Sequence, residues 1–213
     1  VSRTLSEEQR ARKKAELVAV AIEILETEGF NALTLRRLAA KAGISRTTPY
    51  LYFKDKADLL VAVCVNTFRF LTEQCRTIIE DNPTPVQQVT AFGENYLKFA
   101  LKNPVLYQLT FAPETTREEV APEVMEVVEE YNTLLAVPMQ QAYDAGHFLY
   151  PPDRLNAVLW AALHGMLSLH WSGHLAEEDQ FDQILADMRN ILAFGFINRD
   201  KVREDYPDLM SGN

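Results

Sequence analysis

The stretch Thr34-Leu-Arg-Arg-Leu-Ala-Ala-Lys-Ala-Gly-Ile-Ser-Arg-Thr-Thr-Pro-Tyr-Leu-Tyr-Phe53 decides the fold. Thr34 is a residue type that caps helix N-termini, and it opens a short helix through Lys41. Ala39 is small enough for a second helix to cross closely. Gly43 supplies the positive φ of a tight turn. Ser45 is placed to cap a further helix reaching Phe53, with its hydroxyl on the orphan amides of the first turn. Leu38, Ile44 and Phe53 face inward and set the crossing. This is a helix-turn-helix pattern, in which the second helix lays its N-terminal residues against base edges in the major groove. Those residues are Arg46, Thr47 and Thr48. Arginine can grip guanine with two hydrogen bonds, and threonine can bond to a base or set its methyl against a thymine methyl. Pro49 lies so near the helix start that its missing amide costs little. Tyr50, Tyr52, Lys54 and Lys56 are candidates for phosphate contacts, which position a protein without specifying sequence.

Outward from this stretch the pattern is helical throughout. A first helix spans Ser6 to Glu28, with the stripe Leu17, Val18, Ala21, Ile22 and Leu25, and Gly29 stops it. Long helices are predicted over about 57–80, 85–102 and 122–145, with Pro138 as a kink in the last. A short helix fits 105–111. Asp81-Asn82-Pro83-Thr84-Pro85 and Asn103-Pro104 are the breaks. Pro113 to Val120 reads as a charged loop or helix start. The final pair of helices is predicted over about 153–171 and 179–197, before a charged, frayed tail. The expected architecture is all-α, with about nine helices. A three-helix helix-turn-helix domain (1–56) joins a helical ligand-binding and dimerisation bundle (57–200), and the tail covers 201–213.

Charge divides the same way. The chain has 213 residues and a net charge of −9, yet residues 1–60 carry eleven Lys/Arg against eight Asp/Glu. A cationic head on an acidic body suits a phosphate backbone. The basic arm Arg3 to Lys14 extends that head. The first fifteen residues have no apolar signal core, and Leu155–Leu169 falls short of the ~20 apolar residues of a membrane span. A cytoplasmic protein is expected, with no membrane partner. Cys64 and Cys75 would lie about 16 Å apart along one helix, too far for a disulfide, and read as reduced thiols.

Residues 10–60 resemble the DNA-binding domain of the tetracycline repressor (TetR) family. The resemblance rests on Gly29-Phe30 ending the first helix, Thr34 opening the second, Leu38-Ala39, Ala42 to Ser45, and the run Tyr50, Tyr52, Phe53 with Lys56. It implies phosphate contacts at Thr34, Tyr50 and Lys56, base contacts at the start of the third helix, and a homodimer on double-stranded DNA. Thr47 and Pro49 stand where the family usually has Gly and Leu. Trp160-Ala-Ala-Leu-His164-Gly165 is similar to the WHG-type C-terminal domain of some family members.

The last two helices are apolar over most of their circumference. One side suits the core, and the other suits the same helices of a second subunit. Phe92, Tyr96, Phe99, Tyr107, Phe111, Tyr131, Trp160 and His164 are candidates to line a pocket for an unidentified small-molecule effector; each could equally be core. The implied function is a DNA-binding regulator, as the family resemblance implies a repressor, released from a near-palindromic operator by an apolar or aromatic effector. The alternative is a DNA-binding regulator controlled by a protein partner. An enzyme is not expected. His170 and His174 form H-x-x-x-H without the glutamate that zinc protease chemistry needs. Glu118-Glu119, Glu129-Glu130 and Glu177-Glu178 read as solvated faces. No cofactor or metal is expected.

Overall fold

The computed structural model describes residues 6–111, 121–175 and 178–210. The loop or helix start expected at 113–120, with Glu118-Glu119, lies outside these residues, as do Arg3 of the basic arm and Glu177. Nine α-helices are present among the described residues: α1 (Glu7–Glu28), α2 (Leu35–Lys41), α3 (Lys56–Asp81), α4 (Pro85–Lys102), α5 (Pro104–Phe111), α6 (Pro122–Asp144), α7 (Pro152–Trp171), α8 (Glu178–Phe196) and α9 (Arg199–Asp205). None of the described helices is long and apolar enough to cross a membrane.

The boundaries follow from local chemistry. Ser6 and Gln9 form a reciprocal capping box: each side chain accepts from the other's amide, at 3.0 and 3.2 Å. Such boxes satisfy two orphan donors at a helix start. Gly29, at φ +83°, ends α1. The buried stripe of α1 is Leu17, Val18, Ala21, Ile24 and Leu25, so Ile24 takes the place expected of Ile22. At the start of α3, Asp55 accepts from the Asp58 amide, and the Asp58 carboxylate accepts from the Lys54 amide. Helix α6 runs on through Pro138.

The described residues fall into two compact units. One comprises Val1–Glu73 with Lys102–Tyr131, the other Gln74–Leu101 with Asn132–Asn213. In the first, α2 packs on α1 and on a 3-10 turn at Thr48–Leu51, and α5 packs on α1. Leu17, Leu25, Leu38, Phe53 and Leu59 are fully buried there. In the second, α7 packs on α8. Val86, Met139, Ala142, Phe148, Leu155 and Val202 form its core cluster.

The frayed tail is a correction. Residues 199–205 are helical and 207–210 form a 3-10 turn. Asn198 caps α9 through the Lys201 amide, and Val202 is buried in the core cluster. The His147 ring, itself buried, holds the Asp205 carboxylate at 2.8 Å and packs on Tyr206. His147 and Lys201 keep that carboxyl below the usual carboxylate range, the His147 hydrogen bond contributing most.

Candidate nucleic-acid interface and effector site

The second helix of the motif is not the α-helix expected from Ser45 to Phe53. It is a single 3-10 turn, Thr48–Leu51. Pro49 has no amide to donate back into an α-helical ladder. Three bonds span three residues, from the Thr48 amide to Ser45, Tyr50 to Thr47, and Tyr52 to Pro49, and the Phe53 amide closes the turn on the Pro49 carbonyl at 2.9 Å. The Pro49 ring is buried and anchors the turn from behind. Gly43, at φ +64°, makes the reversal that brings α2 and this turn together.

Nor does Ser45 cap the turn, which has no side-chain cap. Its hydroxyl pairs with the hydroxyls of Thr47 at 3.0 Å and Thr48 at 2.7 Å. Nothing in the spacing signals this, because a serine before an α-helix is an ordinary cap and only the 3-10 geometry frees its hydroxyl for the threonines.

The predicted contact residues all lie in the first unit. Thr34, Arg46, Thr47, Tyr50 and Lys54 are exposed, while Thr48, Tyr52 and Lys56 are half-buried. Tyr50 and its neighbour Leu51 are large apolar side chains left outside the core. Thr34 accepts the Arg37 amide at 3.0 Å. Its own proton remains available to a phosphate oxygen, since a hydroxyl both donates and accepts.

The cations divide into two groups. Arg37 grips Glu28 with two bonds of 2.8 Å, and Lys41 bridges Glu23 and Glu28. These pairs tie α2 to α1, and the Arg37 hydrogen bond, first among several causes, holds the Glu28 carboxyl below its ordinary range. Arg10 donates to the Leu51 carbonyl at 2.7 Å, holding the turn from the first helix. Lys56 donates to the Phe30 carbonyl at 3.0 Å and lies 4.2 Å from the ring centre of Phe30. An ammonium has three donors, so Lys56 keeps two while it fastens the α1–α2 connection. By contrast, Arg36, Arg46 and Lys54 are exposed and make no ion pair among the described residues.

The candidate effector residues divide between the units. Tyr107 and Tyr131 are buried in the first unit and Phe111 is half-buried there. Phe68 of α3, which is not among the residues expected from sequence, sits edge-on to both Phe111 and Tyr131 at 5.4 and 5.7 Å. The hydroxyl of Thr72 is buried in the same unit with no hydrogen-bond partner among the described residues, while that of Thr110 lies against the Cys64 thiol. In the second unit Phe92, Tyr96 and Phe99 are buried, while Trp160 is exposed. The Trp160 indole donates to the Tyr96 hydroxyl at 3.0 Å, and its ring packs on His164.

On α7 and α8, Val158, Leu169, Ile191 and Phe194 are large apolar side chains left exposed. Between the two helices lies an apolar groove of about 360 Å³ lined by Leu155, Val158, Leu159, Ile191, Leu192 and Phe196, among others. Gly165 does not mediate a close approach within the chain, since a Cβ built there would meet open space. His170 and His174 do not share a helical face, because α7 ends at Trp171 and Gly173 turns the chain. Each spends its Nδ1 locally, on the Leu175 carbonyl and the Ser172 hydroxyl.

Comparison with known proteins gives two family matches. Residues 17–63 match the model of bacterial regulatory proteins of the tetR family, and residues 89–189 match the tetracyclin repressor-like C-terminal domain. A helix-turn-helix-type transcriptional regulator encoded in the 5′ region of dhlA in Xanthobacter autotrophicus is 37% identical over 71 residues. That match spans 33% of this chain and 33% of the relative, so the likeness covers about a third of the relative's length. A solved protein of unknown function from a Rhodococcus species is 26% identical, with a TM-score of 0.71 over 84% of this chain and 93% of the other. FadR from Bacillus subtilis, solved with stearoyl-CoA, shares the fold at 16% identity, with a TM-score of 0.64 over 84% and 95% of the two chains.

Proposed function

This chain belongs to the TetR family of DNA-binding transcriptional regulators, and on that premise we propose that it is a homodimeric repressor released from its operator by a small molecule. DNA binding is assigned to residues 1–56, effector binding and dimerisation to 57–200. The observation that carries the reading is the recognition turn. Pro49 and Phe53 are buried in it, while Arg46, Thr47 and Tyr50 stand exposed, as do Arg36 and Lys54. A buried backing with unpaired cations and exposed hydroxyls in front is what base and phosphate contacts require.

The second subunit is supplied by the exposed apolar face of α7 and α8. A two-fold axis through that face would cover Ile191, Phe194 and the adjoining groove with their own copies. Two heads on such an axis read two half-sites, so the operator is near-palindromic. No catalytic role is assigned, and the protein acts in the cytoplasm, where its DNA is.

The effector is apolar or aromatic, with a hydroxyl or carbonyl group for orientation. In support, Phe68, Tyr107, Phe111 and Tyr131 surround one another in the same compact unit as the recognition turn. Thr72 adds an unspent hydroxyl. Helix α5, which carries Tyr107 and Phe111, packs on α1 of the head. A molecule that favours a displaced α5 therefore favours a displaced head, and operator affinity falls by the ratio of its affinities for the two states. The test is selection of duplexes from a randomised pool, followed by a screen for compounds that release the winner. Enrichment of a two-fold symmetric site supports the reading. Failure to enrich any sequence refutes it.

A further inference from the structure

The Ser45, Thr47 and Thr48 hydroxyls hold a constraint that a simple list of DNA contacts would miss. Ser45 Oγ lies 3.0 Å from Thr47 Oγ1 and 2.7 Å from Thr48 Oγ1. Three hydroxyls carry three protons, and two of these protons are consumed by the two bonds. Ser45 can donate to only one threonine. Either the chain runs from Thr47 through Ser45 to Thr48, or it runs in reverse, or both threonines donate to Ser45. In every arrangement one O–H is left to point elsewhere. All three residues lie in the exposed or half-buried start of the recognition turn.

We propose that Ser45 is a positioning residue for sequence specificity, linking Thr47 and Thr48 into a single reading device that offers at most one donor between them. The inference rests on the DNA-binding reading above. Guanine N7 and O6, adenine N7 and thymine O4 demand a donor, while adenine N6 and cytosine N4 demand an acceptor. When one threonine gives its proton to a base, the chain polarises and the other threonine meets its own base only as an acceptor. The base preferences at the two positions are therefore interdependent. An unlinked pair of threonines would read each position alone, and its preferences would add. Pro49, buried in the turn, has no amide for the bond to the Ser45 carbonyl that an α-helix starting there would make.

The experiment uses the full chain and a duplex enriched from a randomised pool. Thr47→Ala and Thr48→Ala identify the two base positions whose preference each threonine sets. Affinities are then measured for the duplex changed at either position and at both, with the parent, Ser45→Ala and Ser45→Thr. The parent shows a departure from additivity of about fivefold, the worth of one neutral hydrogen bond. Ser45→Ala becomes additive and accepts donor-demanding bases at both positions. Its affinity for scrambled duplex, and the salt dependence of that affinity, stay at the parent's values. Ser45→Thr restores the interdependence. Thr48→Val, which breaks the chain from its other end, also gives additive behaviour. Additive preferences in the parent overturn the proposal while leaving DNA binding intact. A uniform loss on all duplexes in Ser45→Ala overturns it too, because that marks a merely structural serine. If the parent enriches no duplex and binds none in a salt-dependent way, the DNA-binding reading falls and takes this inference with it.

Discussion

Replacing Ile191 with serine should break the dimer and leave the subunit folded. Ile191 is 70% exposed on α8, beside Phe194 at 67%. Fully burying an isoleucine side chain contributes about 2 kcal/mol, so covering what this chain leaves bare contributes about 1.5 kcal/mol. A two-fold axis presents the residue twice, so the substitution removes about 3 kcal/mol per dimer. That weakens the dimer about a hundredfold. The subunit itself gives up almost nothing, because the side chain touches little of its own core. Sedimentation equilibrium across a concentration series reads the dissociation constant, and circular dichroism checks the helices. Leu51→Ser, equally exposed but on the recognition turn, serves as the control and leaves dimerisation unchanged. A parent that is monomeric at micromolar concentration, or an Ile191→Ser dimer as tight as the parent, refutes the assignment of this face.

Three further outcomes follow from the buried groups. His147→Ala removes a buried ring and leaves Asp205 with Lys201 alone; at about 3 kcal/mol for such a truncation it lowers Tm by about 9 °C in a calorimetric scan. The Asp205 carboxyl is held below its ordinary range by His147 first and then Lys201. A depressed folded pKa gives stability that is complete above the ordinary carboxylate range and lost as pH falls through the lowered value. Hydrogen exchange in α9 should therefore stay slow at pH 5 and accelerate only in strong acid, and Asp205→Asn should abolish that acid step. Burial pushes the Cys64 thiol up to about 11 and the Cys75 thiol to about 12. Both should resist a thiol reagent at pH 8 in the native protein and react fully in denaturant; prompt native labelling would contradict their burial.

Most of the helical framework was legible because its punctuation is chemical. Gly29, Asn82-Pro83 and Asn103-Pro104 break helices for reasons that hold in any context, and the observed ends fall within a residue or so of those expected. Where the reading failed, a residue's partner decided the outcome. A proline near a helix start costs little by position alone, yet without the Pro49 amide the segment settles into a 3-10 turn. Ser45 then loses the helix it was expected to cap and turns to Thr47 and Thr48. Lys56 was assigned to phosphate by resemblance, and Phe30, 26 positions earlier, also claims it. Helix α9 escaped notice because Arg199 to Asp205 contains a single apolar residue. Val202 is enough once a core receives it and His147 binds the end of the helix. The aromatic candidates could be counted in the sequence but not grouped. Only the fold shows that Phe68 joins Phe111 and Tyr131, and that Trp160 joins Tyr96.

The most direct test of DNA reading by the exposed turn is fluorescence anisotropy on the selected duplex and its scrambled counterpart, at two salt concentrations, with Arg46→Ala beside the parent. The account predicts tight, salt-sensitive binding by the parent. It predicts a loss of about five- to a hundredfold for Arg46→Ala on the selected duplex, and little change on the scrambled one. Equal losses on both duplexes, or none on either, would contradict the claim that this turn reads bases.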